Sequence, residues 1–320
     1  MMPNEQFLKP ANSQAIDIII PAYNSRYTIQ KTVISSLFQV LPTGWRKNII
    51  IVNDGSSDGT ADYCQILFKG QVQVISHDRN RGRSASRNTG WKSASGQYVV
   101  FLDSDCEWLS KDSLRAHLES LGGNADVSTG PIIARNQTFW AEYFKTLQSS
   151  REEDFASGNY AAFTSANCAI KRSVLESVGG FDERYRHYGF EDRDFFLRLL
   201  ALGTKIRFCS EAVIIHTPDS SLKDICRKMK EAGQYSSSLF YAAHREYYVR
   251  SSYGRIDCRL HGSLLAALAL ISDPFVLKLA GLGDKIINFS FVPFKIKSTW
   301  VKIISGLAYM VGTYLDTKGQ

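Results

Sequence analysis

The stretch Tyr98-Val99-Val100-Phe101-Leu102-Asp103-Ser104-Asp105 is an apolar run rich in β-branched and aromatic side chains, ended by two carboxylates one residue apart. Such a run, entered from Gly96, predicts a buried central strand. Side chains alternate along an extended chain, so Asp103 and Asp105 can point the same way. Two hard oxygen ligands at the carboxyl end of a buried strand suit Mg²⁺ or Mn²⁺ holding the phosphates of a ligand, and open α/β sheets bind ligands at that edge. Read alone, an Asp-x-Asp more often simply opens a turn, since Asp is a common turn former. The preceding segments favour the ligand reading.

Working back toward the amino terminus, Ile16-Asp17-Ile18-Ile19-Ile20 predicts a strand stopped by Pro21, with Pro21-Ala22-Tyr23-Asn24 as a loop. Ile29, Val33, Ile34, Leu37 and Phe38 have helical period and end before Pro42. Asn48 to Val52 is a second strand, and it too ends in polar residues, Asn53-Asp54-Gly55-Ser56-Ser57-Asp58-Gly59-Thr60. Asp58 can cap the next helix; Asp54 has no such structural reason. A third strand, Val72 to Ser76, leads into Arg79, Arg81, Gly82, Arg83 and Arg87, where arginines flank small residues that open a helix. A helix start offers free N–H groups beside guanidinium forks, the chemistry that receives phosphate, although arginine runs are also simply solvated. Strands alternating with helices over the first hundred residues predict a doubly wound, mostly parallel sheet.

The run Ile18-Ile19-Ile20-Pro21-Ala22-Tyr23-Asn24, Val52 to Thr60, Asn80 with Gly82, Arg87-Asn88, Gly96-Gln97-Tyr98 and Asp103-Ser104-Asp105 together resemble family 2 glycosyltransferases of the GT-A fold. The resemblance covers about two thirds of the chain and implies a GT-A sheet flanked by helices. It also implies an inverting, nucleotide-sugar-dependent enzyme and a donor site of Pro21, Ala22, Tyr23, Asn24, Asp54, Arg81, Gly82, Arg83, Asp103, Ser104 and Asp105. Within that set, Ala22 and Tyr23 would wall the nucleobase, Asp54 would hydrogen-bond it and Asp103 would serve the ribose. Mn²⁺ or Mg²⁺ would sit on Asp105 directly, with Asp103 beside it.

Downstream, Val127 to Ile133 predicts a further strand and Phe139 to Leu147 a helix. Ser165 to Arg172, with Asn167, resembles the segment that borders the family's acceptor pocket. In Tyr188-Gly189-Phe190-Glu191-Asp192-Arg193-Asp194, the acids Glu191 and Asp192 fall in the first turn of a helix carried by Phe195, Phe196, Leu199 and Leu200. Acids are favoured there by the helix dipole alone. Inverting transfer, however, requires a carboxylate to deprotonate the acceptor hydroxyl, and the resemblance places Asp192 in that role with Glu191 beside it on the acceptor side. Ala212 to His216 is a strand ending in histidine, before Thr217-Pro218; an imidazole can be a further metal ligand or a hydrogen-bonded structural group.

Charge is distributed unevenly. Residues 1–220 carry 24 Lys/Arg and 24 Asp/Glu, whereas residues 221–320 carry 14 and 7, so the whole excess of +7 lies in the last third. A division into a catalytic domain, 1–220, and a basic, largely helical extension, 221–320, follows. In the extension, 222–250 predicts one long helix, and Leu264 to Ile271 an apolar stretch interrupted by Asp273-Pro274. In a last helix, Trp300, Ile303, Ile304, Leu307, Met310, Val311, Tyr314 and Leu315 share a face, with Lys302, Ser305 and Thr313 away from it. Neither apolar stretch reaches the ~20 uninterrupted residues of a spanning helix. A basic amphipathic helix suits an anionic membrane surface, the alternative being a cap on the catalytic domain. The basic residues are dispersed among Leu, Ile and Val, which disfavours nucleic acid.

The polar amino terminus holds no signal-like apolar core, and six cysteines without CxxC spacing read as reduced thiols, so a cytoplasmic, membrane-peripheral protein is expected. The functional expectation is transfer of a sugar from a nucleotide diphosphate sugar, a UDP-sugar first, to a hydroxyl of a saccharide or lipid-linked saccharide, in polysaccharide or glycolipid synthesis. The rivals are a non-catalytic scaffold of the same fold and a sugar nucleotidyltransferase. The latter expects a Gly-rich, basic loop where Pro21-Ala22-Tyr23-Asn24 stands.

Overall fold

The computed structural model describes residues 14–135, 138–159, 163–216 and 221–319; most of the polar amino terminus and Thr217-Pro218 lie outside them. The first half runs β1 (Ala15–Ala22), α1 (Ile29–Leu37), β2 (Arg46–Asn53), α2 (Thr60–Leu67), β3 (Gln73–Ser76), α3 (Arg83–Ser93) and β4 (Tyr98–Leu102). It continues through β5 (Cys106–Trp108), α4 (Ser113–Gly122), β6 (Val127–Thr129), β7 (Ile132–Ala134), α5 (Phe139–Ala156) and β8 (Asn167–Lys171). Then follow α6 (Arg172–Val178), α7 (Glu191–Ala201), β9 (Ile206–Phe208) and β10 (Ile214–His216).

Seven strands form one sheet in the order β3-β2-β1-β4-β8-β6-β9, parallel from β3 to β4 and antiparallel on both sides of β8. The apolar runs are two-sided because helices cover both faces. Ile16, Ile18, Ile20, Val100 and Leu102 pack with Val33, Leu114 and Leu118 on one side. Ile19, Ile50, Val52, Val99 and Phe101 pack with Trp91, Phe181, Phe195 and Leu199 on the other. That alternation has a chemical consequence at the strand's end: Asp103 continues the Phe101 side of the pleat, the side on which α3 and α7 lie.

Three expectations are corrected in this half. Pro21 does not stop β1, which runs on to Ala22. The missing N–H is tolerated because pairing with β4 has ended at Ile19 and only the β2 edge continues. The single strand expected over Val127–Ile133 is two strands in different sheets, split at Gly130-Pro131: β6 joins the main sheet, and β7 joins a small sheet ordered β5-β10-β7. A side chain at Gly130 would collide with the Ala212 carbonyl and the Asn167 amide, which is why the chain turns there on glycine. The helix expected to end near Leu147 continues to Ala156.

The remainder is helical: α8 (Leu222–Glu231), a π-helical turn (Ala232–Ser236), α9 (Ser237–Ala243), α10 (Arg245–Arg250), α11 (Cys258–His261), α12 (Ser263–Ile287) and α13 (Phe294–Gly319). The one helix expected from 222 to 250 is thus broken, first where Gly233 lies against the backbone of α13 at Tyr309 and Gly312. α12 runs through Pro274 without a break. It is the one helix among the described residues long and apolar enough to cross a membrane, with mean hydropathy 1.7. The expectation that no stretch reached that length is therefore corrected, because Asp273-Pro274 does not end the helix.

The expected exposed face of α13 is corrected as well. Val301, Ile304, Ala308, Met310, Val311 and Thr313 are buried, packing with α8, α11 and α12, while Ile303 points outward. The exposed apolar surface belongs instead to α12, where Leu264, Leu268, Ile271, Phe275 and Leu282 succeed one another at spacings of three, four and seven. All six cysteines are free and buried.

Candidate active site

Arg87 projects from the second turn of α3, whose inner face of Ser84, Ala85, Ser86 and Gly90 is small enough for the helix to lie close on β1 and β2. Its guanidinium is 1% exposed and sits between two carboxylates far apart in sequence, 3.0 Å from Asp103 and 3.4 Å from Asp192, over the ring of Phe181. Asp192 also accepts a 2.6 Å hydrogen bond from the Ser165 hydroxyl. Burial alone would raise the Asp192 pKa, but Arg87 and Ser165 hold it below the usual carboxylate range. Its neighbour Glu191, buried and 3.3 Å from Arg83, is shifted the other way, up by burial against the pull of Arg83. Two adjacent acids at the start of α7 are thereby given different protonation tendencies, the pattern by which acid and base roles are separated.

The turn that delivers these acids rests on Phe190 at φ 71° and Gly189 at φ 95°. Behind it, Asn88 donates to the Phe181 carbonyl at 2.8 Å and accepts from the Phe181 N–H at 2.9 Å. The Gly179–Glu183 segment is thereby fixed against α3, and α7 is held above Arg87.

Asp54 is 3% exposed. It accepts hydrogen bonds from the N–H groups of Arg81 and Gly82, both at 2.8 Å, and His77 Nδ1 lies 2.7 Å away, with Thr89 2.9 Å from the other ring nitrogen. Its carboxylate thus shapes the loop entering α3 instead of facing open space, as expected of a group reading a base. Arg81 reaches Glu183 at 3.3 Å, and Arg83 lies over the Tyr188 ring. At the end of β1, Pro21 and Ala22 complete the strand and Tyr23 is half exposed. Asn24 is locked to the neighbouring loop by hydrogen bonds with Ser56 and Ser57. The Ser104 hydroxyl is 2.8 Å from that of Ser25, so the first strand's loop and the acidic turn are tied together.

Asp103 and Asp105 take different partners. Asp105 lies 3.2 Å from His216 Nε2, which ends β10 beneath the ring of Phe144. Burial opposes charge on both groups, yet the pairing lowers the Asp105 pKa and raises that of His216. No cluster of three or more His, Cys, Asp or Glu is assembled as a metal cage among the described residues.

Asn167 is corrected: it is 1% exposed, donates to the carbonyls of Ala212 and Pro131, and sits 3.0 Å from His117 Nε2. No polar atom is left for an acceptor, and Ser165, two residues earlier, is the one that reaches Asp192. The sequence reading also missed His77 and left Arg87 out of the site. Arg87 was visible as an arginine in a small-residue helix start, but its two partners are defined only by the sheet order.

The arrangement is a GT-A fold with its polar groups gathered at the carboxyl edge of the parallel strands, and residues 17–179 match the model of glycosyl transferase family 2. The chain belongs to that family. Residues 148–218 also match a model described as the N-terminal domain of galactosyltransferase. Among curated relatives, glycosyltransferase GlyA of Streptococcus pneumoniae is 28% identical over 205 residues, 62% of this chain but 29% of GlyA. The Escherichia coli UDP-Glc:alpha-D-GlcNAc-diphosphoundecaprenol beta-1,3-glucosyltransferase WfaP is 29% identical over 198 residues, 61% of this chain and 73% of its own. Of solved structures, the mannosyltransferase PcManGT from Pyrobaculum calidifontis, in complex with GDP-Man and Mn²⁺, superposes with TM-score 0.59 at 17% identity, covering 94% of this chain and 88% of that one. TarS 1–349 of S. aureus in complex with UDP gives 0.53, also at 17%, covering 96% and 92%. These two likenesses establish the shared fold.

Proposed function

We propose that the protein is an inverting glycosyltransferase that uses a nucleotide diphosphate sugar, a UDP-sugar first, in polysaccharide or glycolipid synthesis. The observation that carries this is Arg87, a buried cation joining the acid at the end of β4 to the acid at the start of α7. One guanidinium thereby couples the donor edge to the acceptor side. Residues 1–220 form the catalytic domain in this reading and 221–320 the extension.

The donor lies across the edge, with Ala22 and the half-exposed Tyr23 beside the base, the Arg81–Arg83 loop near the phosphates, and Asp103 toward the ribose. Asp54 acts by holding that loop. Asp192 enters ionised and takes the proton of the acceptor hydroxyl; the oxygen bonds to the anomeric carbon, and the bond from that carbon to the diphosphate breaks with its electron pair leaving on the diphosphate. Glu191 stands beside it, and Ser165 orients the base. Asp105 and His216, with Asp103 nearby, are a carboxylate-and-imidazole set that leaves further positions to phosphate and water, as Mg²⁺ and Mn²⁺ tolerate. Such an ion would supply positive charge against the departing diphosphate. WfaP, a relative named for a diphosphoundecaprenol substrate, and the exposed apolar face of α12 favour a lipid-linked saccharide acceptor at an anionic membrane surface.

Turnover tests the reading against a non-catalytic scaffold. Release of UDP from UDP-glucose and UDP-GlcNAc with crude lipid-linked acceptors is expected for the wild type. Asp192→Asn should retain donor binding and lose about 10²-fold or more in rate. Near-normal transfer by Asp192→Asn removes that residue from the role.

A further inference from the structure

Between α5 and the turn joining α12 to α13 there is a cavity of about 720 Å³, within the range of small-molecule sites. Its floor is β7 and the Ala141, Glu142, Lys145 and Gln148 face of α5. Its far wall is the turn between α12 and α13, with Ile287, Val292, Pro293 and Phe294. The cavity reaches Ala134, the β7 residue paired with His216, but none of the residues placed in the candidate active site lines it.

Most of the lining is apolar, and the polar groups are nearly all committed. Gln148 is bonded to Glu152 and to the Ile132 N–H, and Thr138 caps α5. Glu142 and Lys145 lie exposed at the rim. Lys297 is different: it lines the cavity, the residue is only 8% exposed, and its side chain takes part in no ion pair or hydrogen bond among the described residues. An ammonium in the wall of a largely apolar cavity, with no carboxylate of the described residues within ion-pair distance, leaves its charge to be met by an anion entering the cavity. The exposed rings of Phe289 and Phe291 flank the lining residue Ser290 in the same turn. A largely apolar cavity with one unpaired lysine in its wall and exposed aromatic side chains in the adjoining turn matches a molecule with an anionic head and a hydrocarbon tail.

We propose that this cavity binds a single-chain anionic amphiphile, an alkyl or isoprenyl phosphate, with its head on Lys297 and its chain along Ile132, Phe139 and Phe294. The site goes beyond the glycosyl-transfer reading and does not depend on it, because binding is measured without donor or turnover.

The test is calorimetric titration of the full chain with decyl phosphate below its micelle concentration, alongside decanol and inorganic phosphate. Saturable binding of one decyl phosphate, at least tenfold tighter than decanol and inorganic phosphate, is expected. Lys297→Met should fold at least as stably as the wild type and lose the preference for the phosphate head. Ala141→Phe, which fills the cavity from α5, should weaken decyl phosphate and decanol together. Absence of saturable binding, inorganic phosphate binding as tightly as decyl phosphate, or Lys297→Met binding decyl phosphate as tightly as the wild type overturns the proposal.

Discussion

A guanidinium as buried as Arg87 must have its charge met inside the fold, and Asp103 and Asp192 meet it from opposite sides. Arg87→Met would leave two carboxylates facing each other around an apolar side chain. Breaking a buried pair in this way costs about 3–5 kcal/mol, so a clear fall in urea midpoint is expected, together with loss of transfer. Arg87→Lys should restore little, because a single ammonium cannot reach both acids as the planar fork does. His117 offers a separate check on the core. Burial pushes its pKa down to about 4, from 6.5, while Ser128 and Asn167 hold its two nitrogens. The unfolded chain therefore takes up the proton first as pH falls, and stability drops between pH 6.5 and 4 by up to about 3 kcal/mol. His117→Gln should flatten that part of the pH–stability curve; an unchanged slope would show that other groups set it.

Among the elements, the loop entering α3 depends on Gly82, which has φ 91° and where a Cβ would stand 2.9 Å from the Arg186 carbonyl oxygen. Gly82→Ala is expected to cost about 1–3 kcal/mol and to weaken nucleotide binding, because Asp54 holds the Gly82 N–H as part of the same loop. A variant with unchanged melting and unchanged binding would separate the loop's shape from the donor site. The parallel strands were legible in the sequence because each is a short β-branched run ending in polar residues, and periodicity registers that directly. The Gly130-Pro131 pair was itself a turn signal that the single-strand reading passed over, while the division of Val127 to Ile133 between two sheets depends on strand neighbours that the sequence does not show. The acids 103 and 105 stood out by their place at the end of an apolar strand, whereas Asp192 was singled out only by the resemblance. The Arg87 bridge, the burial of Asn167 and the engagement of Asp54 were not legible, because each depends on which strands become neighbours. α13 was misread for a related reason: both of its sides carry apolar residues, and packing against α8 and α12 chose among them.

For the molecule as a whole, the extension is packed onto the catalytic half. Phe190 contacts Phe240 at 4.8 Å between ring centres, Asp194 lies 2.8 Å from His244, and Phe139 of α5 meets Phe294. The charge excess of residues 221–320 therefore shares a body with the exposed face of α12. Co-flotation with anionic liposomes at low salt is expected, falling as salt rises. The double variant Leu268→Glu, Phe275→Glu should lose it with little change in melting temperature, since both side chains are already exposed. Co-flotation that survives this change would move the contact elsewhere. The central claim is that the carboxyl edge of the sheet is a nucleoside diphosphate site, and a thermal shift with UDP, GDP and dTDP, each with Mn²⁺ or with EDTA, tests it most directly. A ligand at about 100 times its dissociation constant adds about 2.7 kcal/mol, enough to raise the melting temperature by several degrees. Metal-dependent stabilisation by UDP that is lost in Asp105→Ala is the expected result; no stabilisation by any of the three diphosphates, with or without metal, would contradict it.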